Sequence, residues 1–127
     1  MSMKFKFEKL LVWQKAMALG EGINTISYSF PKEENFNLAQ QIRRAADSIA
    51  LNISEGAIGQ SDPECRKFLN YAIRSLAETA TCLHKAKRRE YLSGEVFKKF
   101  YEECFNLMNM LIGLKNSIGQ KSQIGML

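Results

Sequence analysis

Histidine occurs once in the 127 residues, proline twice and cysteine three times. Each scarcity closes off a class of chemistry. His84 has Lys85 beside it and no carboxylate nearby in sequence to orient it, so it reads as a surface or phosphate-contacting residue and not as a general base. Cys65, Cys82 and Cys104 form no CxxC pair, which excludes the usual zinc and thioredoxin spacings and leaves them as small core residues in a reducing compartment. No Glu-x-x-His, P-loop, GxGxxG or GxSxG is present. Glu102 and Glu103 are adjacent, so on a helix they point about 100° apart and cannot act as an acid–base pair. The expectation is a non-enzymatic protein with no catalytic residue, no metal and no cofactor. No apolar run approaches the ~20 residues needed to cross a bilayer. The opening MSMKFKFEKLLVW lacks the apolar core of a signal peptide, so the expected compartment is the cytoplasm, without a membrane partner.

What is present is ordinary globular composition, 46% hydrophobic and 24% charged, with a net charge of +5. The length suits a single domain over residues 1–127. Both prolines sit at breaks in the apolar pattern, and between breaks the spacing is 3, 4 and 7, never a sustained 2. Helices are expected at about 8–29, 37–55, 62–90 and 94–117, with a frayed tail at 120–127. Pro31 closes the first and the glycines at 56 and 59 close the second. Ser61-Asp62-Pro63-Glu64 opens the third with a capping-box pattern, Ser93-Gly94-Glu95 opens the fourth, and Gly119 stops it. Gly20, inside the first helix, suggests close approach of a neighbour, at a propensity cost of about 1 kcal/mol. Short connections make neighbours antiparallel. The expected fold is all-α, an up-down-up-down four-helix bundle.

The faces differ between helices. Leu38, Ile42, Ala45, Ala46, Ile49 and Ile53 form one narrow stripe on helix 2. Cys65, Phe68, Leu69, Ala72, Leu76, Thr79, Leu83 and Ala86 do the same on helix 3. Helix 4 carries a core stripe of Val96, Phe100, Leu107, Leu111, Leu114 and Ile118. A second stripe of Phe97, Tyr101, Phe105, Met108 and Ile112 lies about 100° away. A monomeric bundle uses only the first, so the second is a candidate oligomer interface. The alternative is that helix 1 covers it. Helix 1 itself has a wide arc (Val12, Trp13, Ala16, Leu19, Ile23, Ile26, Phe30) that could join the same interface.

One constellation is basic. At about 100° per residue, Arg66, Lys67, Arg74, Lys85, Arg88 and Arg89 share one outward face of helix 3, with Lys87 elsewhere and Glu78 the one acid among them. Such a stripe suits a phosphate backbone, which makes these six the candidate nucleic-acid-binding residues. A solvated face, with cations favoured at the helix C-terminus, is the alternative, and it accounts for residues 85–89 better than for Arg66. On helix 2, Arg44 adds a cation and Arg43 can pair with Asp47 four residues on. Asn52, at the edge of the helix 2 stripe, reads as a polar residue fixing register.

Several ordered motifs then resemble a known family. Phe7-x-x-Leu10-x-Val12-Trp13-Gln14-Lys15-Ala16 is similar to the opening of the bacterial four helix bundle proteins, also called 23S rRNA-intervening sequence proteins. The resemblance runs through Phe30-Pro31-Lys32-Glu33-Glu34. It is most specific at Gln41-Ile42-Arg43-Arg44-Ala45-Ala46-Asp47-Ser48-Ile49 and Asn52-Ile53-Ser54-Glu55-Gly56. It resumes at Lys67-Phe68-Leu69-Asn70-Tyr71-Ala72, Ser75-Leu76-x-Glu78 and Tyr91-Leu92-Ser93. Two departures stand out. Ala50-Leu51 stands where the family has a proline, and 57–60 lack the aromatic and arginine that often follow Glu-Gly. The resemblance implies an antiparallel bundle assembling into a ring-like homopentamer, with no attached enzymatic activity. It is related to the accessory variability determinant of diversity-generating retroelements, which implies RNA or DNA and a reverse transcriptase as partners. A protein-interaction scaffold with no nucleic-acid contact is the alternative function. Five basic copies would strengthen weak phosphate contacts by multivalency.

Overall fold

The computed structural model describes residues 4–59 and 61–119; the tail expected to fray at 120–127 lies outside them. The described residues form four α-helices and no strand: α1 Leu11–Ser27, α2 Leu38–Ala57, α3 Asp62–Arg88 and α4 Gly94–Ser117. Short 3-10 turns occupy Lys6–Lys9 and Lys32–Glu34.

Local chemistry sets the ends. The Ser61 hydroxyl accepts the Glu64 amide at 3.2 Å, with Pro63 in the first turn of α3, and Ser93 accepts the Val96 amide at 3.1 Å to start α4. Beyond α4, Gly119 takes the left-handed conformation at φ 86°. α1 is shorter at both ends than its apolar pattern predicts. At its start Phe5 stacks on Phe7 and Phe7 packs on Trp13, so residues 6–9 fold as a separate turn against the helix. At its end Ser27 and Ser29 donate their hydroxyls to the carbonyls of Asn24 and Ile26, competing with further helical bonding. α2 runs two residues past its predicted end. Ala50, near the family's proline position, is helical and buried there.

The core stripes of α2 and α3 pack as the periodicity predicts, and in that of α4 Phe100, Leu107, Leu111 and Ile118 are buried while Val96 and Leu114 are half-buried. All six stripe residues of α2 are buried, as are Cys65, Leu69, Ala72, Leu76, Thr79, Leu83 and Ala86 of α3; Phe68 is half-buried. Each large aliphatic side chain buried this way contributes roughly 1.5–3 kcal/mol. The arc of α1 is consumed by this core: Val12, Ala16, Leu19, Ile23 and Phe30 are buried, and Trp13 and Ile26 half-buried. It therefore leaves little for an interface. Burial holds the thiols protonated, pushing Cys82 up to about 11 and Cys104 up to about 12.

Polar ties report the antiparallel order. Arg43, in the second turn of α2, donates Nε to the Ser27 hydroxyl at 2.6 Å and lies over the Tyr28 ring at 4.0 Å, so α1 ends where α2 begins. This replaces the expected Arg43–Asp47 pair; the aromatic face and hydroxyl at the end of α1 hold the guanidinium instead. Arg66, at the start of α3, reaches the Ile118 carbonyl at the end of α4 at 2.8 Å. Between α1 and α4 the close approach is at Gly22, where a Cβ would stand 2.6 Å from Phe100 Cε1. At Gly20 a Cβ would meet nothing nearer than the Ala46 carbonyl oxygen at 3.7 Å, an ordinary contact. The tight glycine is thus Gly22, not Gly20, because Phe100 lies on that side of α1.

Candidate nucleic-acid interface

Lys67, Asn70, Tyr71 and Arg74 follow one another at helical spacing along the first half of α3, and all four are exposed. Antiparallel pairing brings Lys115, in the last turn of α4, beside them. With Arg66 and Pro63 these residues line a shallow hollow of about 480 Å³. Arg66 is half-buried, and one arm of its guanidinium closes α4 through the Ile118 carbonyl. Lys67 Nζ lies 4.8 Å over the Phe68 ring, and Phe68 meets Tyr71 edge-on at 5.7 Å. Tyr71 is 41% exposed.

Lys85, Arg88 and Arg89 sit at the other end of α3. Arg74 and Lys85 are eleven residues apart, roughly 16 Å along the axis. Between them Glu78 accepts a long 3.5 Å bond from Gln41 of α2. The six cations therefore form two groups rather than one unbroken stripe. Lys85 and Arg88 are exposed. Arg89 donates to the Glu34 carboxylate at 2.9 Å, tying the end of α3 to the turn before α2. Lys115 is the one cation of the hollow that a face count on α3 alone misses, and Asn70 and Tyr71 lie on α3 but escape a search for charge. Matching the last turn of α4 to the first turns of α3 would have found Lys115.

On the α4 side a second surface is aromatic. Phe97, Tyr101 and Phe105 run as a stacked ladder, with centroids 5.6 and 6.4 Å apart. His84 of α3 packs edge-on against Phe97 and Tyr101 at 4.9 and 5.6 Å, and Lys87 Nζ lies 4.9 Å over Phe97. The histidine thus joins the aromatic surface instead of the basic one. Phe105 is 56% exposed, Ile112 39% and Tyr101 37%, while Phe97 and Met108 are half-buried. α1 leaves this stripe uncovered.

Comparison with known families gives a match between residues 8–113 and the model of the 23S rRNA-intervening sequence proteins. The chain belongs to that family. Among solved structures it is similar to a protein of unknown function from the S23 ribosomal protein family of Bacteroides thetaiotaomicron. That likeness has a TM-score of 0.79 at 24% identity, over 84% of this chain and 100% of that one, and it supports the fold. No curated protein matches. In this member of the 23S rRNA-intervening sequence family, the polar residues of the α2 motif join helices. Gln41 meets Glu78, Arg43 meets Ser27 and Tyr28, and Ser48 donates its hydroxyl to the Ala45 carbonyl and pairs with the Ser75 hydroxyl at 2.6 Å. Asn52 donates to the Ser48 carbonyl within its own helix. Among the described residues no cluster of His, Cys, Asp or Glu could hold a metal ion, and no helix is long and apolar enough to cross a membrane.

Proposed function

We propose that the chain is a non-enzymatic, cytoplasmic nucleic-acid-binding protein that works as an oligomer, the pentamer being the expected assembly. The observation that carries this reading is the convergence of Arg66, Lys67 and Arg74 from α3 with Lys115 from α4 around one hollow. Four cations from two helices at one spot favour a polyanion over simple solubility, for which scattered charge would serve. Replacing Arg74 and Lys115 by Gln should weaken binding to unrelated RNA and DNA sequences by similar factors. It should also flatten the log–log salt dependence by up to about two units, one per lost cation. Arg74 is exposed and Lys115 half-buried beside the open hollow, so the fold should hold within about 1 kcal/mol per change. A salt titration of wild type and double variant measures this. Wild-type protein that binds neither RNA nor DNA at about 50 mM salt would sink the reading.

The exposed aromatic stripe of α4 favours a second reading, a protein-interaction scaffold without nucleic-acid contact. Its association would be carried by apolar burial and would change little with salt, which separates it from the first.

A further inference from the structure

The basic hollow contains an aromatic ring that a purely electrostatic surface does not need. Tyr71 lines the hollow together with Lys67, Asn70, Arg74 and Lys115, and two fifths of it is open to solvent. Its edge contact with Phe68, itself half-buried and capped by Lys67, fixes the ring on one side. From Lys67 to Arg74 is seven residues, about 10 Å along the helix. That is the rise of roughly three stacked nucleotides. We infer that the hollow takes single-stranded nucleic acid, with one base stacked on Tyr71, the flanking phosphates on Lys67, Arg74 and Lys115, and Asn70 within reach of a base edge or sugar. The inference rests on the nucleic-acid reading above and narrows it to one strand class. A base inside a duplex is already stacked on both faces, so Tyr71 can receive only an unpaired one. Arg66 is not assigned a phosphate, because it already closes the end of α4.

The test compares an oligouridylate of about 16 nucleotides with an RNA duplex of the same length, both fluorescently labelled. The proteins are wild type, Tyr71→Leu, Tyr71→Phe and Arg74→Gln, all with helicity checked by circular dichroism. Tyr71→Leu keeps apolar bulk and removes the π face. It should weaken single-strand binding roughly 10- to 100-fold, the loss expected for one stacked base. Its salt slope should stay unchanged, and duplex binding should move less than twofold. Tyr71→Phe should restore the single-strand affinity. Arg74→Gln should weaken both probes and flatten the slope. If Tyr71→Leu leaves both probes unchanged, or weakens both equally, the stacking inference falls. In that case the phosphate reading stands as long as Arg74→Gln still acts. Wild-type protein that binds neither probe at about 50 mM salt overturns both together.

Discussion

Four hydrogen bonds converge on the Glu34 carboxylate, from the Tyr91 hydroxyl at 2.7 Å, Arg89 at 2.9 Å, the Asn37 amide at 2.9 Å and the Leu38 backbone amide at 3.2 Å. They tie the α1–α2 connection to the α3–α4 connection at one end of the bundle. The Tyr91 bond foremost, against the opposing effect of burial, holds the Glu34 pKa below its ordinary 4.5, and the same bond raises that of Tyr91 above 10.0. Glu34 with a depressed pKa adds stability that is fully present above 4.5 and lost as pH falls through the folded value. Tyr91 with a raised pKa adds stability present below 10.0 and lost as pH rises through its folded value. Urea midpoints should therefore form a plateau between these limits. Glu34→Gln should flatten the acid limb, and a variant whose acid limb matches wild type would show that Glu34 is not its source. Next in the chain, Glu90 holds φ 64° where glycine is usual. It sits in a Schellman closure made by the Tyr91 amide to the Ala86 carbonyl and the Glu90 amide to the Lys87 carbonyl, both 2.9 Å. An L-residue in that conformation costs roughly 1–2 kcal/mol, so Glu90→Gly should raise stability by about 1 kcal/mol in a denaturant titration. The tie between the two connections was not legible in the sequence, because Arg89 and Tyr91 lie 55 and 57 residues from Glu34 and no local pattern marks them.

Within the helices, register was legible and the fit between them was not. Caps and apolar periods are local, so Ser61, Ser93 and the α2 and α3 stripes could be read directly, and Leu76 is fully buried as its phase requires. The meeting of α1 with α4 depends on which turn of one faces which ring of the other. Gly20 and Gly22 show the consequence. Both lie in the interior of α1, where alanine is favoured over glycine by about 1 kcal/mol. Gly20→Ala adds a methyl at ordinary contact distance and should stabilise by about 0.5–1 kcal/mol. Gly22→Ala drives its methyl into the buried Phe100 ring, and overpacking of that kind costs about 1–3 kcal/mol. It should be net destabilising by about 1 kcal/mol. Thermal or urea melts of the two variants check the opposite signs. If both stabilise, Phe100 moves aside more easily than its burial suggests.

For the molecule as a whole, two surfaces remain after the core is satisfied. The charge of the basic one was legible on α3. The gap between Arg74 and Lys85 that divides it was legible too, but the engagement of Arg66 and Arg89 with other elements and the arrival of Lys115 from α4 were not, because they depend on how the helices pack. The aromatic one follows from the width of the α4 apolar arc, since a helix in a closed bundle buries only one stripe. Phe105 is the sharpest probe of whether that surface is an interface. In the single chain its side chain is more than half exposed, and glutamate is a good helix former, so Phe105→Glu should leave the bundle's far-UV helicity and cooperative melt intact. In an assembly the same carboxylate would have to leave water opposite an apolar partner, at a cost of several kcal/mol per ion, while the burial of the ring, about 1.5–3 kcal/mol per copy, would be lost. Those losses recur at every contact of a closed ring. Light scattering at micromolar concentration should give a mass near five chains for wild type and near one for Phe105→Glu. A wild-type monomer would remove the aromatic face from any self-association. A variant that keeps the wild-type mass would place the contact elsewhere on the molecule.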